Sequence, residues 1–468
     1  LIPVVVAPDA WVPPLLRPLA RCDIEDADAI ANALLTRRAG PPPVSPPELG
    51  RIEHVLFTLQ REAGAGVRVE VRIGDEIYGG RSYAALPHAL VTVRDEFLRG
   101  FRTGLRRDPL AAERATLEST VIRLGQALRS FCLPGDAGDA LSSLVKGCPL
   151  GTTVEVCFEA NDPELLGLPF EALRLPDDRL LATQPSVVML RRPMGLVARH
   201  GPALAGPLKI LVAVGAPDEE LTSSVVLDQE QELQNILDAI EEYQRLENVE
   251  VRILEVGHPD VIATAIERDA YHVLHLSCHG MPGRLELEDE EGRAVPTTAT
   301  DLLWPIQRTG RPLPLVFLNA CHSGVQAGQT ASFAEDLLRA GVPCVVAMQT
   351  SVSDYYATQI ARAFYEHLAR REPHLPSRAL AAARKELEQA RLLAVEQGQG
   401  LAETQPEYAT ATLYVAAVET PIADFSLERN CVRRCAHCAT RRASLPEWCS
   451  PESAAWARAP WPAVSCAA

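Results

Sequence analysis

An α/β fold, with a mostly parallel sheet covered by helices on both faces, is what this sequence predicts, preceded by a mixed α/β companion half. Two observations carry the main part. Short apolar runs recur through the second half of the chain, and amphipathic helical stretches separate them. Runs that are apolar throughout read as strands buried on both faces, and the intervening helices supply the crossovers that parallel strands require. A third observation carries the companion half, where period-2 alternation and helical spacing are mixed.

Residues 1–48 form an N-terminal segment whose apolar text is broken by prolines and closes on GPPPVSPP, Gly40–Pro47, an expected extended linker. Residues 49–205 make up the companion or regulatory half. There VRVEVRIGDEIYGG alternates with period 2 and is expected to end in a Gly-Gly turn. Leu110, Leu117, Val121, Leu124 and Leu128 then fall at helical spacing. The apolar TVEVCF follows, and the half closes on the loop GPALAGP.

Residues 206–425 carry the regular alternation. Strands are expected at Lys209–Gly215, Val249–Val256, His272–Ser277, Pro314–Asn319, Pro343–Gln349 and Thr410–Val418. Helices are expected near Leu227–Leu246, Pro259–Arg268, Ser332–Ala340, Ser353–Arg371 and Ser377–Gln397. The acidic text RLELEDEEGR between them reads as a solvated hairpin turning at Glu291-Gly292. Residues 426–468 are rich in Cys, Arg and Trp without periodicity, and are expected to be a disordered tail. CVRRCAHC offers Cys431, Cys435, His437 and Cys438, but a second ligand pair at zinc-site spacing is missing, so no metal is expected.

Composition narrows the partners. The 468 residues hold 45 Lys and Arg against 61 Asp and Glu, a net charge of −16. That excess argues against direct nucleic-acid binding and against a polybasic membrane surface. No apolar run approaches the roughly 18–20 residues of a membrane-spanning helix, and the N-terminus lacks the basic region of a secretory signal. Leu1 stands where a start Met would be expected, so a fragment or a processed product is an expectation. The 12 cysteines are scattered rather than clustered into a disulfide scaffold, so a cytoplasmic, reducing setting with mostly free thiols is expected. Walker-type GxxxxGK[ST] and the GxSxG elbow are both missing, and no cofactor is expected.

The chemistry concentrates at two strand ends. YHVLHLSCHG stops at His279-Gly280, and LPLVFLNACHSG stops at Asn319-Ala320-Cys321. Ligands of an open parallel sheet bind outside the carboxyl ends of its strands, so two successive strands would bring His279 and Cys321 to one edge. A thiolate is a nucleophile, and an imidazole beside it can help ionise the thiol and later protonate the leaving amine. Gly280 leaves room for a substrate backbone, and the N–H groups of Gly280 and Cys321 are candidate oxyanion donors. Taken singly, a strand-end Cys is more often a small core residue and a His a satisfied donor. Their pairing on successive strands with flanking glycines favours a site. His275, by strand parity, is expected to pack under a covering helix.

These two phrases, followed by SFAEDLLRAGVPCVVAMQTSVSDYYA and FYEHL, resemble the caspase-like cysteine proteases, the group of caspases, metacaspases, gingipain, legumain and separase. Within that group they most resemble the CHAT domain, and LGLPFEALRLPDDRLLATQPSVVMLRRP is similar to the front half of such domains. The resemblance covers roughly Leu110 to Phe425. It implies a cysteine endopeptidase with His279 as the catalytic histidine, Cys321 as nucleophile and Gly280 in the oxyanion hole, latent until activated, and needing no metal. Protein or peptide substrates are implied, and an activating partner or a repeat-containing regulator is a further expectation. For the substrate pocket it points to Asn319, where metacaspases carry an Asp, and to Asp354, in the phrase where separases carry an acid. An acid there would favour cleavage after basic residues, since carboxylate and guanidinium pair bidentately; Asp354 could equally cap the helix beginning there. A catalytically silent scaffold and a redox-sensing thiol protein are the alternatives, and the presence of both His279 and Cys321 speaks against the scaffold.

Overall fold

In the computed structural model the described residues are 4–5, 22–23, 51–104, 111–196, 201–320 with short breaks at 202, 216, 218–228, 247, 255, 282 and 290, 332–370 and 374–425. The linker Gly40–Pro47, the tail with Cys431, and Cys321 itself fall outside them. The chain divides into two compact units, Leu1–Gly50 and Arg51–Ala468. In the first, Val4–Val5 pairs with Cys22–Asp23 in parallel.

The second unit begins with strands β1 (Ile52–Arg61), β2 (Val67–Ile73) and β3 (Glu76–Tyr83), antiparallel to one another in that order. The turn between β2 and β3 is not at Gly79-Gly80, as the sequence reading has it, but at Gly74-Asp75, where Gly74 takes φ +59°. A left-handed residue is what a two-residue hairpin needs. The Gly-Gly pair sits instead inside β3, at a register shift opposite Val69 and Val71. A Cβ at Gly80 would stand 3.1 Å from the Arg68 guanidinium, so the glycine makes room for that side chain.

Helices α1 (His88–Gly104), α2 (Ala111–Cys132) and α3 (Ala137–Gly147) lead to β4 (Thr153–Ala160) and β5 (Val187–Pro193). The predicted stripe on α2 is a core stripe, since Leu117, Val121, Leu124 and Leu128 are all buried. A short strand β6 (Leu204–Ala205) precedes the alternating half: β7 (Leu208–Val214), α4 (Gln229–Arg245), β8 (Val249–Leu254), α5 (Pro259–Arg268) and β9 (Val273–Ser277). A ribbon of β10 (His279–Met281), β11 (Arg284–Glu288) and β12 (Ala294–Thr297) follows; the acidic text is a hairpin as expected, but not fully solvated, since Leu285, Leu287 and Glu288 are buried. Then come α6 (Ala299–Arg308), β13 (Leu315–Asn319), α7 (Phe333–Arg339), β14 (Cys344–Met348), α8 (Asp354–Arg370), α9 (Pro376–Glu396), β15 (Ala411–Val415) and β16 (Ala423–Asp424).

Among the described residues one sheet runs through both halves in the order β8-β7-β9-β13-β14-β15-β5-β4-β1-β2-β3. Pairing is parallel except at β14–β15 and in the β1–β2–β3 meander. The mostly parallel α/β sheet predicted from the apolar runs is therefore present. Alternation along each strand divides the core by face. Leu274, Leu276, Val316 and Leu318 pack with Ile262 of α5, Leu302 of α6 and Phe333 of α7. Val273, Leu315 and Phe317 pack on the other face with Ile236 of α4, Ile360 of α8 and Leu380 of α9. Each such side chain contributes about 1.5–3 kcal/mol by leaving water.

Where the halves meet, burial alone does not set the register. Glu171 and Arg191 are both buried and paired. Glu171 also accepts from the Thr412 hydroxyl on β15 at 2.5 Å, and Arg191 on β5 donates to the Leu166 carbonyl at 2.8 Å. Arg191 lies opposite Tyr414 of β15 in register. The PFEALRL phrase thus places a carboxylate that ties β5 to β15. Among the described residues, no helix is long and apolar enough to cross a membrane.

Candidate active site

The site is built at the carboxyl edge of β9 and β13. These strands are parallel neighbours, and Ser277 pairs with Asn319 at their last register position. The chain continues from Ser277 through Cys278 to His279, and from Asn319 through Ala320 to Cys321. His279 opens β10, which turns out of the main sheet into the ribbon, and it lies opposite Glu286 while Gly280 lies opposite Leu285. Directly opposed residues of an antiparallel pair share a face, so Glu286 stands on the His279 side of the ribbon. His279 and Gly280 are half-buried, on a rim between core and solvent.

Close approach makes this exit from the sheet possible. A Cβ at Gly215, just after β7, would come within 2.9 Å of the Cys278 Cβ and 3.0 Å of the Glu286 carbonyl oxygen. One at Gly257 would meet the Val214 carbonyl at 2.7 Å. Side chains at either position would push the ribbon off the sheet end.

Below the rim lies a polar cluster on the face covered by α4 and α8. His275 is fully buried under these helices, as parity predicts. Its Nδ1 lies 2.9 Å from the Tyr365 hydroxyl and its Nε2 lies 2.9 Å from Glu232 Oε1. Ser277 Oγ donates to Glu232 Oε2 at 2.5 Å, and Asn319 Nδ2 donates to Glu232 Oε1. Asn319 is 7% exposed, donates also to the Ala357 carbonyl at 3.4 Å, and leaves its Oδ1 without a hydrogen-bond partner. Burial raises the Tyr365 phenol well above its ordinary value, so the hydroxyl stays protonated beside His275 Nδ1.

Asp354 is the first residue of α8, exposed, and reached from the loop after β14 at the same sheet edge. The cap is Ser353, whose Oγ accepts from the Tyr356 N–H at 3.1 Å. Ser353 is held in turn by Glu407, which accepts from its N–H at 2.6 Å and from its hydroxyl at 2.5 Å. Among the described residues there is no cluster of three or more His, Cys, Asp or Glu arranged to hold a metal.

The structure therefore gathers His279, Gly280 and Asn319 at one edge, with Asp354 one strand further along it. Sequence reasoning missed Glu232, Ser277 and Tyr365. A signal for Glu232 was available: it lies in line with Ile236 and Ile240 at i, i+4 and i+8, an acid on an otherwise apolar stripe.

A family model described as the CHAT domain matches residues 139–414. This chain belongs to the CHAT-domain family. A comparison of the CHAT chain with curated proteins gave no match. Among solved structures, it is similar to two crystal structures of the Saccharomyces cerevisiae separase–securin complex, at 2.6 and 3.0 Å resolution. The TM-scores are 0.44 and 0.43 and the identities 8% and 10%, over 78% and 83% of this chain. The CHAT chain spans only 30% and 31% of the length of the chains it matches there.

Proposed function

We propose that this CHAT chain is a caspase-like cysteine endopeptidase acting on protein or peptide substrates through Cys321 and His279. The observation that carries the reading is the register of β9 and β13: Ser277 and Asn319 are paired, and each stands two residues before one member of the dyad. In the proposed reaction the Cys321 thiolate attacks the scissile carbonyl carbon, and His279 protonates the departing amine. The resulting thioester is hydrolysed by a water that gives its proton to His279, which returns Cys321 to its starting state. The Gly280 and Cys321 N–H groups would hold the oxyanion, a contribution of about 2.7–4 kcal/mol per donor in other enzymes. Asp354 is the group proposed to favour a basic residue before the cut.

Such a site needs restraint, and low basal activity released by a partner, a ligand or self-cleavage belongs to the proposal. A reducing compartment, the cytoplasm above all, suits a reactive thiolate. The buried thiols would not compete with it. Burial pushes Cys157 up to about 12 and raises Cys132 and Cys344 as well, so they stay protonated at neutral pH. The test is cleavage of a fluorogenic peptide library by the purified chain beside Cys321→Ala and His279→Ala. Cleavage abolished by both substitutions supports the reading. Cleavage that survives Cys321→Ala refutes the dyad, and absence of cleavage with no His279-dependent labelling of Cys321 by a thiol-reactive peptide refutes the reading in favour of a silent scaffold.

A further inference from the structure

We infer that Glu232 is a positioning residue for the Cys321–His279 pair, an inference that rests on the endopeptidase reading. Glu232 stands in the first turn of α4 and is 5% exposed. A buried carboxylate is retained only where donors replace its water. Here the donors come from the two strands that matter: His275 and Ser277 on β9, and Asn319 on β13. Ser277 is two residues before His279, and Asn319 two residues before Cys321. One carboxylate thus holds the last paired position of both strands, two residues before each member of the proposed dyad.

The same geometry explains why position 319 carries an amide. An Asp there would set a second carboxylate at hydrogen-bond distance from Glu232, and two carboxylates in one dry site cannot both ionise. Asn319 supplies an N–H where Glu232 needs one. Its work is to hold β13 against α4, with Ala357 of α8 as its second acceptor, so the residue before the cut in a substrate is read elsewhere. Tyr365 of α8, 2.9 Å from His275 Nδ1, closes the far side of the cluster.

The test uses the full chain and the variants Glu232→Gln, Asn319→Asp, the double swap Glu232→Gln/Asn319→Asp, and His279→Ala alone and with Glu232→Gln. Each is assayed for peptide cleavage and for the rate at which iodoacetamide alkylates Cys321, read from the Cys321 peptide by mass spectrometry. Displacing a reacting group by about 1 Å costs on the order of 100-fold, so kcat should fall by that order in Glu232→Gln while KM changes little. Asn319→Asp should fall similarly. The double swap, which returns one carboxylate facing one amide, should recover most of the loss. Alkylation needs no substrate, so a latent chain still reports: His279→Ala should slow it in the wild-type background and have no further effect beside Glu232→Gln.

If His279→Ala leaves Cys321 alkylation unchanged in the wild type, the dyad reading fails whatever Glu232 does. If His279 matters equally with and without Glu232, or Glu232→Gln lowers the melting temperature with kcat intact, the positioning role is overturned. Should Glu232→Gln not fold, Ser277→Ala removes a single donor and takes its place, with a smaller fall in kcat expected and an unchanged kcat overturning the inference.

Discussion

Removing the Arg191 guanidinium tests whether the two halves of the sheet are tied by a buried ion pair. In Arg191→Met the apolar volume is largely kept, while Glu171, 2% exposed, loses its cation and retains the Thr412 hydroxyl. Breaking a buried pair by deleting one partner costs about 3–5 kcal/mol, because the remaining charge is left uncompensated. Arg191 also donates to the Leu166 carbonyl and lies 5.2 Å from the Phe170 ring centroid and 5.7 Å from that of Tyr414. Loss of these contacts puts the expected cost in the upper part of that range. A domain of ordinary stability holds roughly 5–15 kcal/mol in all, so the variant should unfold at a markedly lower urea midpoint. Replacing both partners, Arg191→Met with Glu171→Leu, removes the orphaned charge and should return most of the loss, since apolar substitution of a whole buried pair is often neutral or stabilising. The assay is urea unfolding followed by circular dichroism and Trp fluorescence together. A cost below about 1 kcal/mol for Arg191→Met, or a double variant no more stable than the single, would refute the tie, because both contradict an uncompensated buried charge.

Gly125→Ala would place a Cβ 2.2 Å from the Ala172 carbonyl oxygen, and the overpacking should cost at least about 1–3 kcal/mol in a thermal melt; an unchanged melting temperature would show that α2 shifts freely. Burial pushes Glu407 and Glu419 each up to about 7 from the ordinary glutamate value of 4.5. Their contribution is therefore full below pH 4.5 and is lost as pH rises through about 7, by about 3 kcal/mol each. Glu407→Gln/Glu419→Gln should flatten the fall in stability between about pH 5 and pH 8, and parallel curves for wild type and variant would contradict this. If Asp354 reads a basic residue, Asp354→Asn should cut cleavage after Arg and Lys by about 10- to 100-fold relative to other residues, the worth of a charge-assisted hydrogen bond; an unaltered preference would move the pocket elsewhere.

The central strands of the second half were legible because they are apolar on both faces, as at Val273–Ser277 and Leu315–Asn319, whose ends differ from expectation by a residue at most; the expected Thr410–Val418 runs three residues past the observed end at Val415. Helix Ala299–Arg308 was harder to see. It is 10 residues long and carries Pro305, while its start signal, the capping box of Thr298 and Asp301, lies in polar text after the acidic hairpin. The Gly-Gly turn was misplaced because glycine serves both turns and register shifts, and only the pairing partner distinguishes them. At the site, His279 and Gly280 were legible from strand-end text. Asn319 and Asp354 were legible as positions, but Asn319 is held by Glu232 of α4, 87 residues upstream, and Ser353, the cap beside Asp354, is held by Glu407, 54 residues downstream. Hydrogen bonds at such separations leave no local pattern: the stripe with Ile236 and Ile240 puts Glu232 on the buried face of α4, but its partners on β9 and β13 are not written beside it.

Two buried carboxylates hold this sheet, and they do so from opposite faces. Glu171 sits on the face with Leu274 and Val316, joining β5 to β15. Glu232 sits on the face with Val273 and Phe317, joining α4 to β9 and β13. Apolar contacts such as those of Val273 tolerate small sliding, because dispersion is non-directional. A carboxylate that accepts from two strands does not, because each donor must keep its angle and length. Between the two hubs, β13, β14 and β15 are joined by their ladders and by side chains packed on both faces, and Gln349, just after β14, is hydrogen-bonded to the Tyr414 hydroxyl of β15 at 2.7 Å. The companion half meets the alternating half through Arg191 and Glu171 at β15, and also through Glu118 of α2, which pairs with Arg391 of α9. A fragment lacking the companion half would leave the Thr412 hydroxyl without Glu171 and the outer edge of β15 without β5, so the stability of the edge that carries His279 is shared with the companion half rather than held by the alternating half alone.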